Sequence, residues 1–193
     1  MIMEEQGKDT SGKKLSEMAA HGASGTIPPG KPPLSVDLRT VMRYFASAVT
    51  VVTSSLESGE PFGLTVSAFS SLSLDPPLVL ICIRNESTAA ELFKKSERYC
   101  VNILAEDQRT IAEKFSLTGE AGRFVGLDFY LGKSGSPVIR GCIGFIDCRI
   151  TQIIEAGDHT IFIGEAIAVS AEKKPPLLYL DRHYVKLEAE EVE

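Results

Sequence analysis

The sequence predicts an antiparallel β-barrel with a few peripheral helices. Strand-like runs of β-branched and aromatic residues outnumber helical ones, and most follow one another through short turns. No predicted strand is followed by a GxGxxG loop, and the sequence contains no GxxxxGK[ST] motif. The absence of both motifs argues against a Rossmann fold and against a P-loop.

The composition is that of a globular protein rather than a nucleic-acid-binding or membrane protein. The chain has 193 residues, of which 44% are hydrophobic and 24% charged, enough for one domain with a sizeable core. Its net charge of -6 disfavours nucleic acid as a partner, because phosphate binding needs a basic surface. No apolar run reaches the ~18 residues of a membrane helix, and the N-terminus lacks the apolar stretch of a signal peptide. We therefore expect a cytoplasmic protein without a membrane partner.

Composition also divides the chain into two parts. Residues 1–34 are rich in Gly, Ser, Lys and Pro and contain little apolar material, so we expect a mobile N-terminal tail. Residues 35–193 form the predicted domain. The cysteines form neither a CxxC pair nor a cluster with histidine, so we expect reduced thiols in the core and no metal site. They are Cys82, Cys100, Cys142 and Cys148.

The first half of the domain is predicted to contain one helix and three strands. Apolar residues at helical spacing indicate a helix over 36–46, and the β-branched run at 48–55 indicates a strand. "GLTVSAFSSLSL", residues 63–74, predicts one strand, which ends where an Asp-Pro-Pro sequence must leave the ladder or follow a sheet edge. The continuous apolar run at 78–83 predicts a strand that is buried on both faces.

The second half of the domain is predicted to mix helices and longer strands. A glycine-containing loop at 117–137 is long for a compact domain, and loops of this length are commonly functional or mobile. An Ala-Gly-Asp turn is expected to join the two longest strands. The predicted helices are 87–95 and 106–116, and the predicted strands are 99–104, 138–155, 159–172 and 182–188.

One predicted strand carries a row of hydroxyl groups and almost no charge. If 63–74 is a single strand, Thr65, Ser67, Ser71 and Ser73 share a face, because side chains alternate along a strand. A face without charge is commonly covered, and an unpaired buried polar group costs ~1–3 kcal/mol. This face is therefore open to solvent, covered by protein, or covered by a planar ligand that is rich in heteroatoms.

The turn and helix that follow have the features of an anion site. Thr88 and Glu91 have the T-x-x-E spacing of a capping box, which places a helix start here. A helix N-terminus offers free N–H groups and a partial positive charge, and Arg84, Asn85 and Ser87 lie in the turn before it. The pattern fits either a simple cap or a phosphate-binding turn.

His159 is the third candidate for a functional residue. It follows a Gly-Asp turn at the start of a predicted strand, where Asp158 can orient its ring. A histidine in such a turn is either solvated or placed for a ligand. The sequence shows no nucleophile–base pair and no metal-ligand spacing, so hydrolase and metalloenzyme chemistry are disfavoured.

Together these segments resemble the short-chain flavin reductase family, whose fold is the FMN-binding split β-barrel of Greek-key type. The resemblance covers about residues 38–187. Its most specific strings are "TVSAF…SLDPP", beginning at Thr65, and "GDHxxxxG", beginning at Gly157, supported by "YCVNILAEDQ", "RF" and "SGSPVIRGCIGFIDCRI" in the family's order. The resemblance implies an NAD(P)H:flavin oxidoreductase, often the reductase component of a two-component flavin-dependent monooxygenase.

The resemblance also implies residue roles. The flavin ring and ribityl chain would lie along the hydroxyl-bearing segments, and the phosphate would lie at the turn before the helix. His159 would be the catalytic residue on the nicotinamide side, Phe124 would flank the flavin, and Tyr184 would close the pocket. The implied flavin-binding residues are Thr65, Val66, Ser67, Ala68, Ser71, Ser73, Leu74, Asp75, Arg84, Asn85, Ser87, Thr88, Phe124 and Tyr184.

The resemblance implies FMN or FAD as the flavin, NADH or NADPH as the hydride donor, and a homodimer with the flavin site near the subunit interface. Cys142 and Asp147 stand where the family has Ala and Glu. Two other functions stay open at this point. The same barrel can hold flavin tightly as an electron carrier, or it can be an interaction domain without a ligand.

Overall fold

The computed structural model describes residues 38–117, 119 and 122–187. The predicted mobile tail, residues 1–34, lies outside the described residues. Within this part of the chain, the residues from Arg39 onward form one compact unit by their internal contacts. Among the described residues, no helix is long and apolar enough to cross a bilayer.

The described chain is mostly strand, as the sequence predicts. The strands are β1 Ser47–Ala48, β2 Thr50–Ser55, β3 Pro61–Val66, β4 Phe69–Leu74, β5 Pro77–Arg84, β6 Arg98–Ile103, β7 Phe129–Leu131, β8 Pro137–Ile139, β9 Gly144–Ala156, β10 His159–Ala171, β11 Leu178–Leu180 and β12 His183–Val185. The α-helices are α1 Leu38–Met42, α2 Thr88–Ser96 and α3 Arg109–Ser116, and a 3-10 turn at Glu106–Gln108 precedes α3.

Seven strands form one antiparallel sheet in the order β3-β2-β6-β9-β10-β5-β4. The two edge strands, β3 and β4, are consecutive in the chain and are joined only by Ser67 and Ala68. The sheet must therefore curl until its edges approach each other, and a backbone hydrogen bond from Cys82 N to Ala68 O ties the link between the two edge strands to β5. This open curl is the split barrel, so the predicted fold class is confirmed.

Two apolar clusters pack the helices against the curled sheet. The larger one packs α2 against the sheet through Phe93, whose ring centre lies 4.9 Å from that of Phe62 and 6.1 Å from that of Phe162. The smaller one packs α3 against β2 through Phe115 and Val51. The two helices thus flank the sheet and fix the wall of the space between its edges.

The structure corrects several element boundaries. The segment 63–74 is two strands rather than one, because the chain turns at Ser67 and Ala68 to pass from one sheet edge to the other. The run at 78–83 alternates buried and half-buried residues instead of being buried on both faces. The first helix has five residues and buries none of them. Strands β7 and β11 were missed because each has only three residues.

Candidate functional site

A cavity of about 800 Å³ lies where the β3–β4 link, the β5–α2 turn, the end of α3 and the small β1-β11-β12 sheet meet. It brings together residues that are far apart in the sequence, from Ser47 to Tyr184. Nine of the predicted residues line it: Thr65, Val66, Ser67, Ala68, Arg84, Ser87, Thr88, His159 and Tyr184.

The β3–β4 link forms one wall of the cavity. The Thr65 hydroxyl donates to the carbonyl of Ala112 at 2.7 Å, which ties this wall to α3. Ser67 and Ala68 are exposed because they lie between strands. The hydroxyl row is thereby divided: Thr65 and Ser67 line the cavity, while Ser71 and Ser73 lie on β4, on either side of a register shift in the β4–β5 ladder.

The β5–α2 turn forms the end of the cavity that suits an anion. Ser87 is the N-cap of α2, with an extended backbone and a hydroxyl that accepts from Ala89 N at 3.3 Å. The predicted cap at Thr88 is therefore displaced by one residue. The exposed Arg84 side chain adds a positive charge next to the positive end of the helix dipole. An anionic group bound at this end would contact both the Arg84 side chain and the N-terminus of α2.

His159 lies beside that turn because it is paired with Arg84 in the β5–β10 ladder. Its Nδ1 is 2.7 Å from the Asp158 carboxylate, which orients the ring. The hydrogen bond from His159, aided by the charge of the ring, holds the pKa of Asp158 below its usual range. The carboxylate therefore remains ionised near neutral pH and favours a ring with its proton on Nδ1.

Arg123 is a site residue that the sequence analysis did not single out. It lines the cavity, is only 9% exposed, and donates to the carbonyls of Gly63 and Leu117 at 2.5 Å each. Its Nε has no partner, and none of the salt bridges between described residues includes it. A buried charge normally has a counter-ion. The sequence offered one signal for this residue, namely an arginine next to Phe124 in a long glycine-containing loop.

Two tyrosines and one cysteine complete the cavity wall. Tyr179 and Tyr184 make an edge-to-face pair 5.3 Å apart, and the Arg109 guanidinium lies 5.1 Å from the Tyr184 ring centre. Burial raises the pKa of Tyr184, so its hydroxyl stays protonated. Cys82 is half-buried on β5, and burial raises the pKa of its thiol as well. The other three cysteines are buried, as predicted.

Six predicted site residues do not line this cavity. Asn85 turns its side chain toward the β9–β10 turn, and Phe124 packs 5.1 Å from the Phe115 ring, behind the wall. Ser71 and Leu74 are exposed on the edge strand β4, with Leu74 at 90%. Ser73 is half-buried on the same strand, and Asp75 lies in the β4–β5 turn.

The donor set of the cavity suits a planar heteroaromatic ligand with an anionic end. It combines serine and threonine hydroxyls, backbone amides at a strand break, two arginines and an aromatic pair. Among the described residues, no group of three or more His, Cys, Asp or Glu could hold a metal ion. The guanidinium of Arg123, which has no carboxylate partner among the described residues, and the cationic turn at Arg84 both fit a flavin nucleotide, whose phosphate and reduced ring carry negative charge.

Comparison with known proteins gives consistent matches. The family model for the flavin reductase like domain matches residues 42–188. The reductase subunit HsaB of a flavin-dependent monooxygenase from Mycobacterium tuberculosis (strain CDC 1551 / Oshkosh) is 34% identical over 79% of this chain and 82% of its own. A probable flavin reductase of Rhizobium meliloti (strain 1021) is 40% identical over 68% of this chain, which spans 42% of that protein.

A solved structure extends the match to the whole fold. The Streptomyces globisporus C-1027 NADH:FAD oxidoreductase SgcE6, solved in complex with NAD and FAD fragments, superposes with a TM-score of 0.77. It shares 32% sequence identity and covers 84% of this chain and 98% of its own. The resemblance seen in the sequence is confirmed, and this chain belongs to the family of flavin reductase-like domains.

Proposed function

We propose that this protein is an NAD(P)H:flavin oxidoreductase that binds FMN or FAD and passes a hydride to it from a nicotinamide nucleotide. The observation that carries the proposal is the single cavity wall shared by the strand break at Ser67–Ala68, the cationic turn at Arg84 and the oriented His159. Relatives are named as an FMN reductase that uses NADH and as an NADH:FAD oxidoreductase.

Different residues of the cavity wall bind different parts of the flavin. Thr65 to Ala68 supply hydroxyl and backbone groups along the flavin ring, and Arg84, Ser87 and Thr88 hold its phosphate end at the start of α2. Tyr184, supported by Tyr179, closes the opposite side. Ser71, Ser73, Leu74 and Asp75 stay predicted flavin contacts that the cavity of one chain does not include.

The bound flavin supplies the chemistry, because it accepts two electrons and a proton as a hydride. The protein positions the two reactants, which can be worth ~7–11 kcal/mol of barrier. His159, with its ring oriented by Asp158, holds the nicotinamide nucleotide at the turn. The buried guanidinium of Arg123 stabilises the negative charge that develops when the flavin is reduced. No side chain needs to act as a general acid or base.

We also propose a homodimer and a monooxygenase partner that uses the reduced flavin. Several relatives are named as reductase subunits or components of monooxygenases. Strand β4 is a sheet edge that exposes Leu72 at 48% and Leu74 at 90%, and an unpaired apolar edge favours association. A second copy on this edge would bring residues 71–75 into a shared flavin site.

The test of the function is anaerobic mixing of purified protein, FMN or FAD, and NADH or NADPH in a stopped-flow instrument. We expect bleaching of the flavin absorbance, with His159→Asn binding flavin normally but bleaching it about ten- to hundredfold more slowly. One lost hydrogen bond to a charged group is worth ~1.5–3 kcal/mol, which is one to two decades in rate. Flavin that binds but is bleached by neither nicotinamide would favour the electron carrier instead, and absence of flavin binding would favour an interaction domain.

A further inference from the structure

Asn85 joins two segments of the cavity wall although it does not line the cavity itself. Its backbone N donates to Asp158 O at 3.0 Å, and its Nδ2 lies 3.4 Å from Gly157 O. Its Oδ1 accepts from the hydroxyl of Thr160 at 2.7 Å. The side-chain amide therefore donates and accepts at once, on both sides of His159 in the chain. A carboxylate of the same reach lacks the donor, and a hydroxyl has to make both bonds from a single oxygen atom.

The position of Asn85 makes these hydrogen bonds the end of the β5–β10 ladder. Arg84 and His159 are the last paired residues, and the chain beyond them is the β5–α2 turn on one side and the Gly157–Asp158 turn on the other. Residues 151–158 are all exposed, so no other part of the described domain covers the Gly157–Asp158 turn. Thr160 is fully buried and provides a fixed anchor. Asn85 thus sets where the Gly157–Asp158 turn lies relative to Arg84.

The side-chain ion pairs near the β5–α2 turn and the Gly157–Asp158 turn are weaker than the hydrogen bonds of Asn85. Lys94 of α2 lies 3.9 Å from Glu155 of β9, and the glutamate side chain is 80% exposed. An exposed ion pair at that distance contributes little and weakens further with salt. Asp158 also feels the charge of Arg84, but both side chains are exposed and that attraction is screened. Besides the backbone pairing of Arg84 with His159 and the backbone bond from Asn85 N to Asp158 O, the side-chain amide of Asn85 is therefore the main connection.

We propose that Asn85 is a positioning residue that couples the phosphate-binding turn to His159. When a phosphate orders Arg84 and Ser87, the hydrogen bonds of Asn85 order the Gly157–Asp158 turn and thereby the imidazole of His159. The nicotinamide site is then completed only after a phosphorylated flavin is bound. Because coupling between sites is reciprocal, a bound nicotinamide nucleotide also tightens the binding of FMN. This inference rests on the proposed roles of Arg84 and His159.

The first test uses FMN and riboflavin, which differ only in the phosphate. Hydrogen exchange of the backbone amides at 157–160 is measured by mass spectrometry with each ligand at saturation. In the wild type, FMN is expected to slow exchange in this segment about three- to tenfold more than riboflavin does. In Asn85→Ala the two ligands are expected to give equal protection. Thr151→Val, which removes a hydroxyl bond to Ile163 O elsewhere on the same hairpin, should behave as the wild type.

The second test is a double-mutant cycle on anaerobic flavin reduction. Asn85→Ala is expected to slow hydride transfer about three- to tenfold while the dissociation constant of riboflavin is unchanged. Combined with His159→Asn it should cause no further loss, because a residue that acts through another is not additive with it. Thr160→Val, which removes the donor to Asn85 Oδ1, should reproduce part of the loss.

The outcomes separate this inference from the proposed function. Equal protection by FMN and riboflavin in the wild type, or a difference that persists in Asn85→Ala, would overturn the coupling. Independent, additive losses in the cycle would overturn the action through His159. Failure of any flavin to bind would instead remove the proposed function, and an unchanged rate in His159→Asn would remove the role of that histidine while the exchange data still decide the coupling.

Discussion

At Arg123 a positive charge lies in the wall of the cavity without a carboxylate partner among the described residues. Its two hydrogen bonds are to the carbonyls of Gly63 and Leu117, which anchor the loop but do not neutralise the charge. Burying such a charge costs several kcal/mol unless an anion compensates it. The ligands proposed for this cavity are anions, so we expect a bound ligand to supply the negative charge that the described residues do not.

Replacing Arg123 with methionine, which is similar in length and uncharged, should weaken the binding of reduced FMN about tenfold relative to oxidised FMN. The reduced ring carries the extra negative charge that the guanidinium would stabilise. A tenfold weaker binding of reduced relative to oxidised FMN corresponds to a fall of about 30 mV in the two-electron potential of bound FMN. The potential is measured by spectroelectrochemistry. Arg123→Lys keeps the charge and should keep the potential.

The control for this prediction is Arg140→Met. Arg140 is exposed, pairs with Asp128 at 3.3 Å, and does not line the cavity. The Arg140→Met substitution should leave the two-electron potential of bound FMN unchanged. An unchanged potential in Arg123→Met as well would mean that Arg123 serves only to hold the loop.

Cys82 gives a residue-level readout of cavity occupancy. Because burial raises the pKa of its thiol above the ordinary 9.0, less thiolate is present at any given pH. Alkylation by iodoacetamide is therefore expected to be slower than for a free cysteine at pH 7, and to rise with pH from 7 to 9. Saturating FMN should protect this residue, and the fully buried Cys100 and Cys148 should stay unmodified in the folded protein.

Peptide mass spectrometry after timed alkylation checks this prediction. A Cys82→Ser variant is the control for label on the other thiols. If FMN binds but does not slow the labelling of Cys82, the flavin does not occupy this part of the cavity.

At the scale of elements, β3 packs so closely against β2 and α3 that Gly63 has no room for a side chain. A Cβ on Gly63 would lie 2.6 Å from the carbonyl O of Val52 and 3.2 Å from the ring of Phe115. The backbone of β2 and the ring of Phe115 can make room only if the sheet and α3 move apart. Glycine at this position is therefore required for the β3 wall of the cavity.

Gly63→Ala is expected to lower the free energy of unfolding by about 1–3 kcal/mol, the usual cost of overpacking. A change of this size lowers the melting temperature by about 3–10 °C for a domain of this length, measured by calorimetry. Ser58→Ala, in the exposed β2–β3 turn, is the control and should change the stability by less than about 0.5 kcal/mol. A Gly63→Ala variant as stable as the control would show that the two strands can separate without cost.

At the scale of the whole molecule, the proposed dimer accounts for the apolar edge strand. Leu74→Arg should convert a species of about twice the 20.9 kDa chain mass into a monomer, measured by sedimentation, because it places a charge in the interface. Flavin affinity should fall with it if residues 71–75 complete a shared site. Val169→Arg, at a 67% exposed position on β10 outside the β4 edge, should remain dimeric. A dimeric Leu74→Arg would place the interface elsewhere.

Local patterns determined most of the elements. The β-branched run of β2, the helix start near Thr88, and the Gly-Asp turn before β10 follow from short-range sequence, and all of them are present in the structure. The family resemblance pointed to the fold and to nine of the residues that line the cavity, of which the strings around Thr65 and Gly157 contain five. These signals are local because strand and helix periods and turn geometry depend on neighbours in the chain.

Only the tertiary structure decided which of these groups meet. The division of 63–74 at Ser67 and Ala68 depends on the sheet curling until its edges approach, which no local period records. Arg123 and Asn85 acquire their roles from partners 60 and 72 residues away in the chain, at Gly63 and Gly157. The hydrogen bonds of Arg123 form where burial removes water as the competing partner, and those of Asn85 form because the β5–β10 ladder brings two distant turns together; both conditions are properties of the packed sheet rather than of any segment.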